Sequence, residues 1–333
     1  MILGFVEQLK GVPTALSLEM LTIGRTLAAD MRAPLEAVVI GDDGGEAAML
    51  GSYGVSTVHL AEDARLGDYA PEAWAQSIID LIARISPRVV MAAGSDRGNE
   101  VLAHVAARAG LPLAANCIEV HPGEPFTVTR QRWGGSLLED ATLGGAVKLV
   151  LTAPHAVEAQ SAESALEPKV APWSPALDEK DFRVHVTRQV ETAAGTVSLA
   201  QARVVIGGGR GVGSAEGFAS LEELAVLLGG AVGCSRAVTS LGWRPHSDQV
   251  GQTGTRIAPD LYIACGISGA IQHMVGCRAA KHILAINTDP AAPIVAQADY
   301  AVIGDVQKVL TAVNAEILRV KTGEPSRSRA PTV

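Results

Sequence analysis

Between residues 250 and 305, short apolar runs alternate with small or polar residues. The runs DLYIACG, KHILAINTD and YAVIGD each have the length and composition of a buried strand, and each closes on glycine, asparagine or aspartate. Strands that are apolar along their whole length are typical of a parallel sheet covered by helices on both faces. Because an open α/β sheet binds its ligand beyond the carboxyl ends of its strands, the pattern predicts a site for a large nucleotide there.

Length and charge limit the classes of protein to which the chain can belong. Its 333 residues are too many for one ordinary core and fit two α/β domains of roughly 100–200 residues each. The net charge of −8 and the lack of a basic cluster argue against binding of a phosphate backbone, so nucleic acid is not an expected partner. No stretch reaches the roughly 18 apolar residues of a membrane span, so the protein is not expected to be membrane-embedded.

The cysteines and the amino terminus bear on the cellular compartment. The four cysteines show no CxxC spacing, and their surroundings favour small buried side chains without a metal or a disulfide. The first residues, MILGFVE, have the pattern of a strand and no charged leader precedes them. We therefore expect a reducing, cytoplasmic location.

Residues 1–195 are predicted to form an amino-terminal α/β domain. Strands, glycine-containing loops and helices alternate there, as in βαβ units. The helix from about Thr14 to Met31 has an apolar stripe, and RVVMAAG at 88–94 is the clearest buried strand. A second helix follows that strand and stops at Gly110.

The later part of this domain has a different pattern. ANCIEV, FTVTRQRW and KLVLTAP follow one another without helices between them, which predicts an antiparallel extension of the sheet. Residues 155–180 are polar and carry several prolines, a composition suited to an exposed, extended connection. The second domain is then expected over residues 196–333, as a doubly wound parallel sheet.

The second domain opens with an apolar strand that runs into a glycine-rich loop, residues 207–213. Glycines let backbone N–H groups approach an anion, but the spacing satisfies neither G-x-G-x-x-G nor a P-loop. A tight structural turn explains the glycines equally well. Arg210 lies within the loop as a fixed cation suited to a phosphate oxygen, and it favours a ligand there.

Further polar residues follow the next strands. Ser220 to Glu223 has the spacing of a capping box, and after that helix the strand AVGC ends on Ser235 and Arg236. An arginine in this place is a ligand contact or half of a surface ion pair, and we favour the ligand because arginine is seldom buried unpaired.

The remaining candidates each have two explanations. Ser268 and Gly269 are expected where a helix begins, with free N–H donors. Taken alone, His273 is better explained as a core histidine. Asn287 closes the next strand, KHILAIN. Asp305 follows the strand after that and is equally well explained as a helix cap or as a ribose contact.

Together these segments resemble a known family. SRAVTSLGW, HSDQVGQTG, IAPDLYIACGISGAIQHMVG, ILAINTDPAAPI and ADYAVIGD are similar to the FAD-binding domain of the electron transfer flavoprotein alpha subunit family over roughly residues 201–320. GQTG and GISGAIQH are the distinctive parts, and TRQRWGGSLLEDATL is similar to a segment of the family's more variable first domain. The resemblance implies a heterodimer with a beta subunit, FAD held mainly by the second domain, and AMP or a second FAD bound mainly by the partner.

The resemblance also implies a role for each site residue. Ser235 and Arg236 would lie beside the flavin, Gln252 and Thr253 would contact the isoalloxazine with the Thr253 hydroxyl near N5, and His273 would reach the pyrimidine edge. Arg210 would lie near the pyrophosphate, residues 268–273 around the ribityl and phosphate region, and Asn287 and Asp305 at the adenosine half. The full set is Arg210, Ser235, Arg236, Val250, Gly251, Gln252, Thr253, Ser268, Gly269, Ala270, Ile271, Gln272, His273, Asn287 and Asp305.

The chain departs from the family pattern after GQTG. Many family members have lysine there, whereas this chain has Thr255 followed by Arg256. A cation at Arg236 or His273 would stabilise the negative charge that an added electron places on the N1 and C2=O edge of a flavin.

The function implied is that of an electron carrier between flavin dehydrogenases and a quinone reductase. The eight histidines are scattered and no catalytic or metal-ligating set is evident, so the chain is not expected to be an enzyme. Other classes stay open: an electron-bifurcating flavoprotein subunit, an enzyme with NAD- or thiamine-linked chemistry on a similar domain, and a nucleotide-sensing module.

Overall fold

The computed structural model of the chain describes residues 1–41, 47–135, 137–187, 198–200 and 202–322. The chain divides into two compact units, Met1–Val190 and Glu191–Val333. The boundary that the sequence predicts, between residues 195 and 196, lies outside the described residues.

The first unit contains a large mixed sheet with helices on both faces. Its strands are β1 (Ile2–Val6), β2 (Gln8–Leu9), β3 (Val12–Pro13), β4 (Leu35–Ile40), β5 (Val55–Ala61), β6 (Val89–Ala93), β7 (Leu113–His121), β8 (Thr127–Arg132), β9 (Leu137–Thr142), β10 (Lys148–Thr152) and β11 (Lys169–Trp173). Its helices are α1 (Ala15–Asp30), α2 (Ala47–Gly51), α3 (Pro71–Ile85) and α4 (Asp96–Ala109). The sheet order is β11-β5-β4-β1-β6-β10-β7-β8-β9, and β2 pairs with β3 as a separate hairpin.

The two long helices after β1 and β6 begin and end as their sequences predict. Thr14 caps α1 by accepting a hydrogen bond from the Ser17 N–H, and Ser95 caps α4 by accepting one from the Gly98 N–H. Gly110 ends α4 in the left-handed conformation, with φ 65°. Apolar side chains pack on both faces of the sheet, and β1, β4 and β6 are therefore buried along their whole length.

Two expectations for this unit are wrong. β7 and β8 pair antiparallel, as predicted, and β8 also pairs antiparallel with β9, a strand that was not predicted. However, β10 returns between β6 and β7 and runs parallel to both. The stretch 155–180 is not only an exposed connection, because β11 pairs in parallel with β5 at the edge of the sheet and buries Trp173 to 6 % exposure. An edge strand tolerates Pro172, because β11 pairs with β5 on one side only and has no second strand to which an N–H would have to donate.

The second unit is a five-stranded sheet in which every recorded strand pair is parallel. Its strands are β12 (Val204–Gly208), β13 (Ala231–Cys234), β14 (Leu261–Cys265), β15 (His282–Asn287) and β16 (Tyr300–Ile303). Its helices are α5 (Ala219–Leu228), α6 (Arg236–Ser240), α7 (Ile271–Cys277), α8 (Pro293–Gln297) and α9 (Val306–Thr322). The order β13-β12-β14-β15-β16 confirms the predicted doubly wound fold and places the reversal of strand order between β12 and β14.

Both faces of this second sheet carry apolar cores. Leu221 of α5 and Leu310 of α9 pack on one face, and Met274 of α7 and Ile294 of α8 pack on the other. Helices on both faces explain why the strands of this unit are almost wholly apolar.

Two helix starts differ from the sequence prediction. The expected capping box at Ser220 is not formed, because α5 begins at Ala219. The Ser220 hydroxyl donates instead to Gln307 Oε1 at 2.8 Å, a shorter distance than the 3.1 Å to the Gly217 carbonyl. The helix expected at Ser268 begins only at Ile271. Gly269 precedes it with φ +83°, and a Cβ there would lie 2.4 Å from the Ile294 nitrogen, so the segment turns against α8 before the helix begins.

All four cysteines are free and buried, which confirms the core role expected for them. Burial raises the thiol pKa of each to about 12, so the thiols stay protonated at neutral pH. None of the described helices combines the length and the apolar character required to cross a membrane.

Candidate cofactor site

A cavity of about 790 Å³ opens at the carboxyl ends of the strands in the second unit. Its walls come from the segments that follow β12, β13, β14 and β15, so it lies where the strand order reverses. An open parallel sheet binds its ligands at this place, and the volume is within the usual range for small-molecule and cofactor sites.

Most of the predicted site residues line this cavity, and three do not. Those outside it are Gly269, Ile271 and Asp305. Neither Thr255 nor Arg256 is part of its wall. The predicted residues brought together are Arg210, Ser235, Arg236, Val250, Gly251, Gln252, Thr253, Ser268, Ala270, Gln272, His273 and Asn287.

The glycines at the end of β12 and in the loop that follows it have packing roles. A Cβ on Gly207 would lie 2.2 Å from the Tyr262 hydroxyl, and a Cβ on Gly209 would lie 2.2 Å from the Gly266 carbonyl oxygen. The Gly211 N–H donates to that same carbonyl at 3.0 Å. The loops after β12 and β14 therefore approach closely across the reversal of strand order and form the floor of the cavity.

Two arginines give the cavity positive charge. Arg210 follows β12 and Arg236 begins α6, and both are exposed. Within the described part of the chain, neither guanidinium takes part in an ion pair. The alternative of a surface ion pair for Arg236 has no support there, whereas a free guanidinium is suited to an anionic ligand.

The segment 249–255 is held between β13 and α7. The Val250 N–H donates to the Cys234 carbonyl at 2.8 Å, and the Gln252 N–H donates to the Gln272 carbonyl at 2.7 Å. Gly251 approaches α7 so closely that a Cβ would lie 2.9 Å from that same Gln272 oxygen. The backbone is thus fixed on both sides, and the exposed side chains of Gln252 and Thr253 face the cavity.

His273 is a neutral side chain in the cavity wall. It is 7 % exposed, and Tyr262 Oη lies 2.7 Å from its Nε2 atom. Desolvation lowers the pKa of His273 to about 4, so the imidazole carries no charge at pH 7. The expectation of a His273 cation is therefore wrong for this structure, and Arg236 remains as the cation of the predicted ring site.

Asn287 and Asp305 both have local structural partners. Asn287 Nδ2 donates to the Ile267 carbonyl at 2.8 Å and its Oδ1 accepts from the Asp289 N–H at 3.0 Å, so this side chain joins the loops after β14 and β15. Asp305 Oδ1 accepts from the Lys308 N–H at 3.0 Å and caps α9. A contact of Asp305 with the adenosine half of a cofactor stays a prediction.

Several residues of the wall were not predicted from the sequence. All are close neighbours in sequence of predicted site residues, so the predicted segments reach the cavity but their limits were too narrow. The missed residues are Gly211, Ala237, Ser240, Gln249, Gly266, Ile267, Asp289 and Ala292.

The described residues include no group of three or more His, Cys, Asp or Glu side chains placed to hold a metal ion. The cavity instead offers two guanidinium groups, backbone N–H groups at glycine-rich turns, and hydroxyl and amide side chains. Such donors suit a ligand with an anionic centre and several hydrogen-bonding ends.

Comparison with known proteins agrees with this geometry. Residues 198–278 match the family model described as the electron transfer flavoprotein FAD-binding domain, and residues 2–178 match the electron transfer flavoprotein domain. The chain is 35 % identical to Protein FixB of Clostridium saccharobutylicum, over 96 % of this chain and 97 % of that protein.

Two further relatives carry a subunit name. The chain is 36 % identical to the electron transfer flavoprotein subunit alpha of Mycobacterium leprae, over 91 % of this chain and 94 % of the relative. It is 33 % identical to the protein of the same name from Thermoanaerobacterium thermosaccharolyticum, over 95 % of this chain and 97 % of that protein. With matches that run through both units, the chain belongs to the electron transfer flavoprotein alpha subunit family.

Proposed function

We propose that the cavity of the second unit binds FAD and that the chain carries electrons as the alpha subunit of a heterodimeric electron transfer flavoprotein. One observation carries the proposal. The cavity lies at the reversal of strand order in the segment that matches the FAD-binding domain, and its wall holds two arginines without an ion pair among the described residues.

The residues present fit a dinucleotide. Arg210 stands beside the close approach of the Gly209 and Gly266 loops, where a guanidinium and backbone N–H groups suit a pyrophosphate. Arg236, Gln252 and Thr253 supply a cation and hydrogen-bonding side chains suited to the ring. Ser268, Ala270 and Gln272 line the cavity from the segment before and within α7, and we assign them to the chain between ring and phosphates.

FAD, when bound, supplies the capacity to accept and release electrons singly or in pairs. The task of the protein is then to bind the ring, to set the charge around it and to limit water. Arg236 would stabilise negative charge on the ring, and a charge pair about 4 Å apart at an effective dielectric of 20 is worth roughly 4 kcal/mol before desolvation. The neutral His273 would act as a hydrogen-bonding side chain and not as a second cation.

The remaining assignments extend the proposal to the assembly. We assign residues 1–195 to a partner-binding domain and residues 196–333 to the FAD-binding domain. The partner is a beta subunit that mainly holds AMP or a second FAD. Flavin dehydrogenases donate the electrons, and a quinone reductase accepts them. The chain has no substrate turnover of its own, and its four free cysteines favour a reducing compartment such as the cytoplasm.

The flavin content of the purified protein tests the proposal. The full chain, co-expressed with the beta subunit and purified, is expected to show a flavin absorbance spectrum and about one FAD per alpha chain beyond any flavin of the partner. Arg210→Ala is expected to reduce that content, and Arg278→Ala, an exposed arginine outside the cavity wall, is not. A colourless protein that binds NAD would contradict the proposal and favour a nicotinamide-linked enzyme.

A further inference from the structure

Gln249 is part of the cavity wall, although only 2 % of its surface is exposed. Its backbone is fixed at both ends, because its N–H donates to the His246 carbonyl at 3.0 Å and its carbonyl accepts from the Thr255 N–H at 2.7 Å. A Cβ on Gly254 would lie 2.2 Å from that carbonyl oxygen, so the turn closes tightly over Gln249. The residue cannot move aside without opening the 249–255 segment.

The side-chain amide of Gln249 connects two hydroxyl groups. Thr239 Oγ1 lies 2.7 Å from Gln249 Oε1 and donates to it, a shorter distance than the 3.0 Å to the Arg236 carbonyl. Gln249 Nε2 donates to Thr253 Oγ1 at 3.0 Å. The oxygen of the amide is thus turned towards α6 and its NH₂ group towards the cavity.

This orientation decides what the Thr253 hydroxyl can do. A hydroxyl has one proton, and when it accepts from an amide its own proton is free for another acceptor. The described residues provide no other hydrogen bond to Thr253, which is exposed at the cavity wall. The proton is therefore free for an acceptor group of a ligand in the cavity. With the amide reversed, Thr253 would donate to Gln249 and present only lone pairs to the cavity.

We propose that Gln249 is a positioning residue that holds the Thr253 hydroxyl as a hydrogen-bond donor to the bound flavin ring. This inference rests on the proposed function, since it concerns the cofactor assigned to the cavity. A fixed donor stabilises a ring nitrogen that has no proton and cannot accept from one that carries a proton. Gln249 thus favours electron uptake without proton uptake at the ring atom that Thr253 faces.

A double-mutant cycle tests this role. Gln249→Met removes both amide hydrogen bonds at similar volume, and Thr253→Val removes the hydroxyl at similar shape. In the protein purified with its partner subunit, Gln249→Met is expected to raise the potential of the proton-coupled reduction step of bound FAD. The equilibrium constant of that reduction step should change by between about 2- and 12-fold, which corresponds to the net free energy of one hydrogen bond. In the Thr253→Val background the same substitution should have no further effect.

The nitrogen chemical shift of the flavin ring gives a second measurement. With FAD labelled by ¹⁵N at N5, Gln249→Met should change the nitrogen chemical shift, because the donor is no longer fixed. Gln297→Met is the matched control: Gln297 is an exposed glutamine of α8 outside the cavity wall, and its replacement should leave potential and chemical shift unchanged.

The outcomes separate this inference from the proposed function. Gln249→Met could shift the potential equally with and without the Thr253→Val substitution, or in neither background. Either result would overturn the positioning role, while the proposal that the cavity binds FAD would stand. A wild-type protein without FAD overturns the proposed function itself. If the Gln249→Met protein does not retain FAD, Thr239→Val replaces it in the cycle. Thr239→Val removes the hydroxyl that donates to the Gln249 amide oxygen, so the amide is no longer held in one orientation. The positioning role then requires a shift of the potential that occurs only when Thr253 keeps its hydroxyl.

Discussion

At the scale of single residues, the cavity has an uneven distribution of charge. Arg210 and Arg236 are cations without ion pairs in the described part of the chain, whereas burial keeps His273 neutral at pH 7. Positive charge beside the proposed ring site therefore depends on Arg236. A fixed cation raises the potential for adding an electron nearby, because the added negative charge is stabilised.

Replacement of Arg236 should therefore lower the one-electron reduction potential of bound FAD. For Arg236→Ala we expect a loss of roughly 1–3 kcal/mol of stabilisation, below the limit for an unscreened pair because the side chain is exposed. Arg236→Lys should keep much of the effect, and the remote Arg278→Ala should change nothing. Potentiometric titration with spectroscopic detection measures the shift. An unchanged potential with FAD still bound would reject this role for Arg236.

The low pKa of His273 predicts a pH dependence of stability. The unfolded imidazole has a pKa near 6.5 and the folded one near 4, so on acidification the unfolded chain takes up the proton first. The contribution of His273 to the free energy of unfolding of the FAD-free protein should thus be constant above about pH 6.5 and should fall between pH 6.5 and 4, by up to about 3 kcal/mol.

Urea unfolding between pH 7.5 and 4.5 checks this dependence. His273→Asn should flatten the curve even though it lowers stability at neutral pH by removing the Tyr262 contact. His246→Asn, at an exposed position, should leave the slope as in the wild type. Parallel curves for wild type and His273→Asn would show that His273 titrates normally in the folded protein.

The sequence identified most residues of the cavity because they close strands or lie in distinctive segments. Arg236 and Thr253 were found in this way. The neutral state of His273 was missed because it depends on burial beside Tyr262, eleven residues away in sequence. Gln249 was missed because nothing in a sequence distinguishes a buried glutamine that connects two hydroxyl groups from one on the surface.

At the scale of elements, the ends of strands and helices position the site. The loops after β12 and β14 meet at glycines that admit no Cβ, and α9 begins directly after Asp305, whose carboxylate caps the helix. Capping and adenosine recognition remain two separate roles for that carboxylate, and substitution distinguishes them. A cap needs a hydrogen-bond acceptor, which asparagine also supplies.

Asp305→Ala should lower the free energy of unfolding by about 1 kcal/mol, the usual loss for an N-cap, and Asp305→Asn should cost much less. Because Asp305 is outside the cavity wall, both variants should retain wild-type FAD content. Thermal unfolding and flavin absorbance give the two quantities on the same samples. Loss of FAD from Asp305→Asn at near-normal stability would instead show that the carboxylate recognises the cofactor.

Element types were predictable, and strand pairing was only partly so. The apolar runs that became β6, β12, β14 and β15 were recognised as strands from their composition. The position of β10 between β6 and β7 was missed because the absence of a helix before a strand does not determine its direction. The edge strand β11 was missed because proline and polar residues are depleted from central strands and are tolerated at an edge.

At the scale of the whole molecule, each of the two compact units contains the match to one family model, residues 2–178 in the first and 198–278 in the second. The predicted two-part α/β fold is confirmed, and the parallel sheet of the second unit has the strand order 2-1-3-4-5, for which the ligand site is known to lie between the first and third strands. Fold and family could be predicted from sequence because both depend on long, repeated patterns. The assignment of residues 1–195 to partner binding stays a prediction.

The position of the flavin in a solved structure of the chain purified with its beta subunit is the most direct test of the proposed site. We expect FAD across the carboxyl ends of β12, β13, β14 and β15, with its pyrophosphate at Arg210 and its ring at Arg236 and Thr253. FAD bound elsewhere in the chain, or this cavity filled by the protein's own side chains, would contradict it.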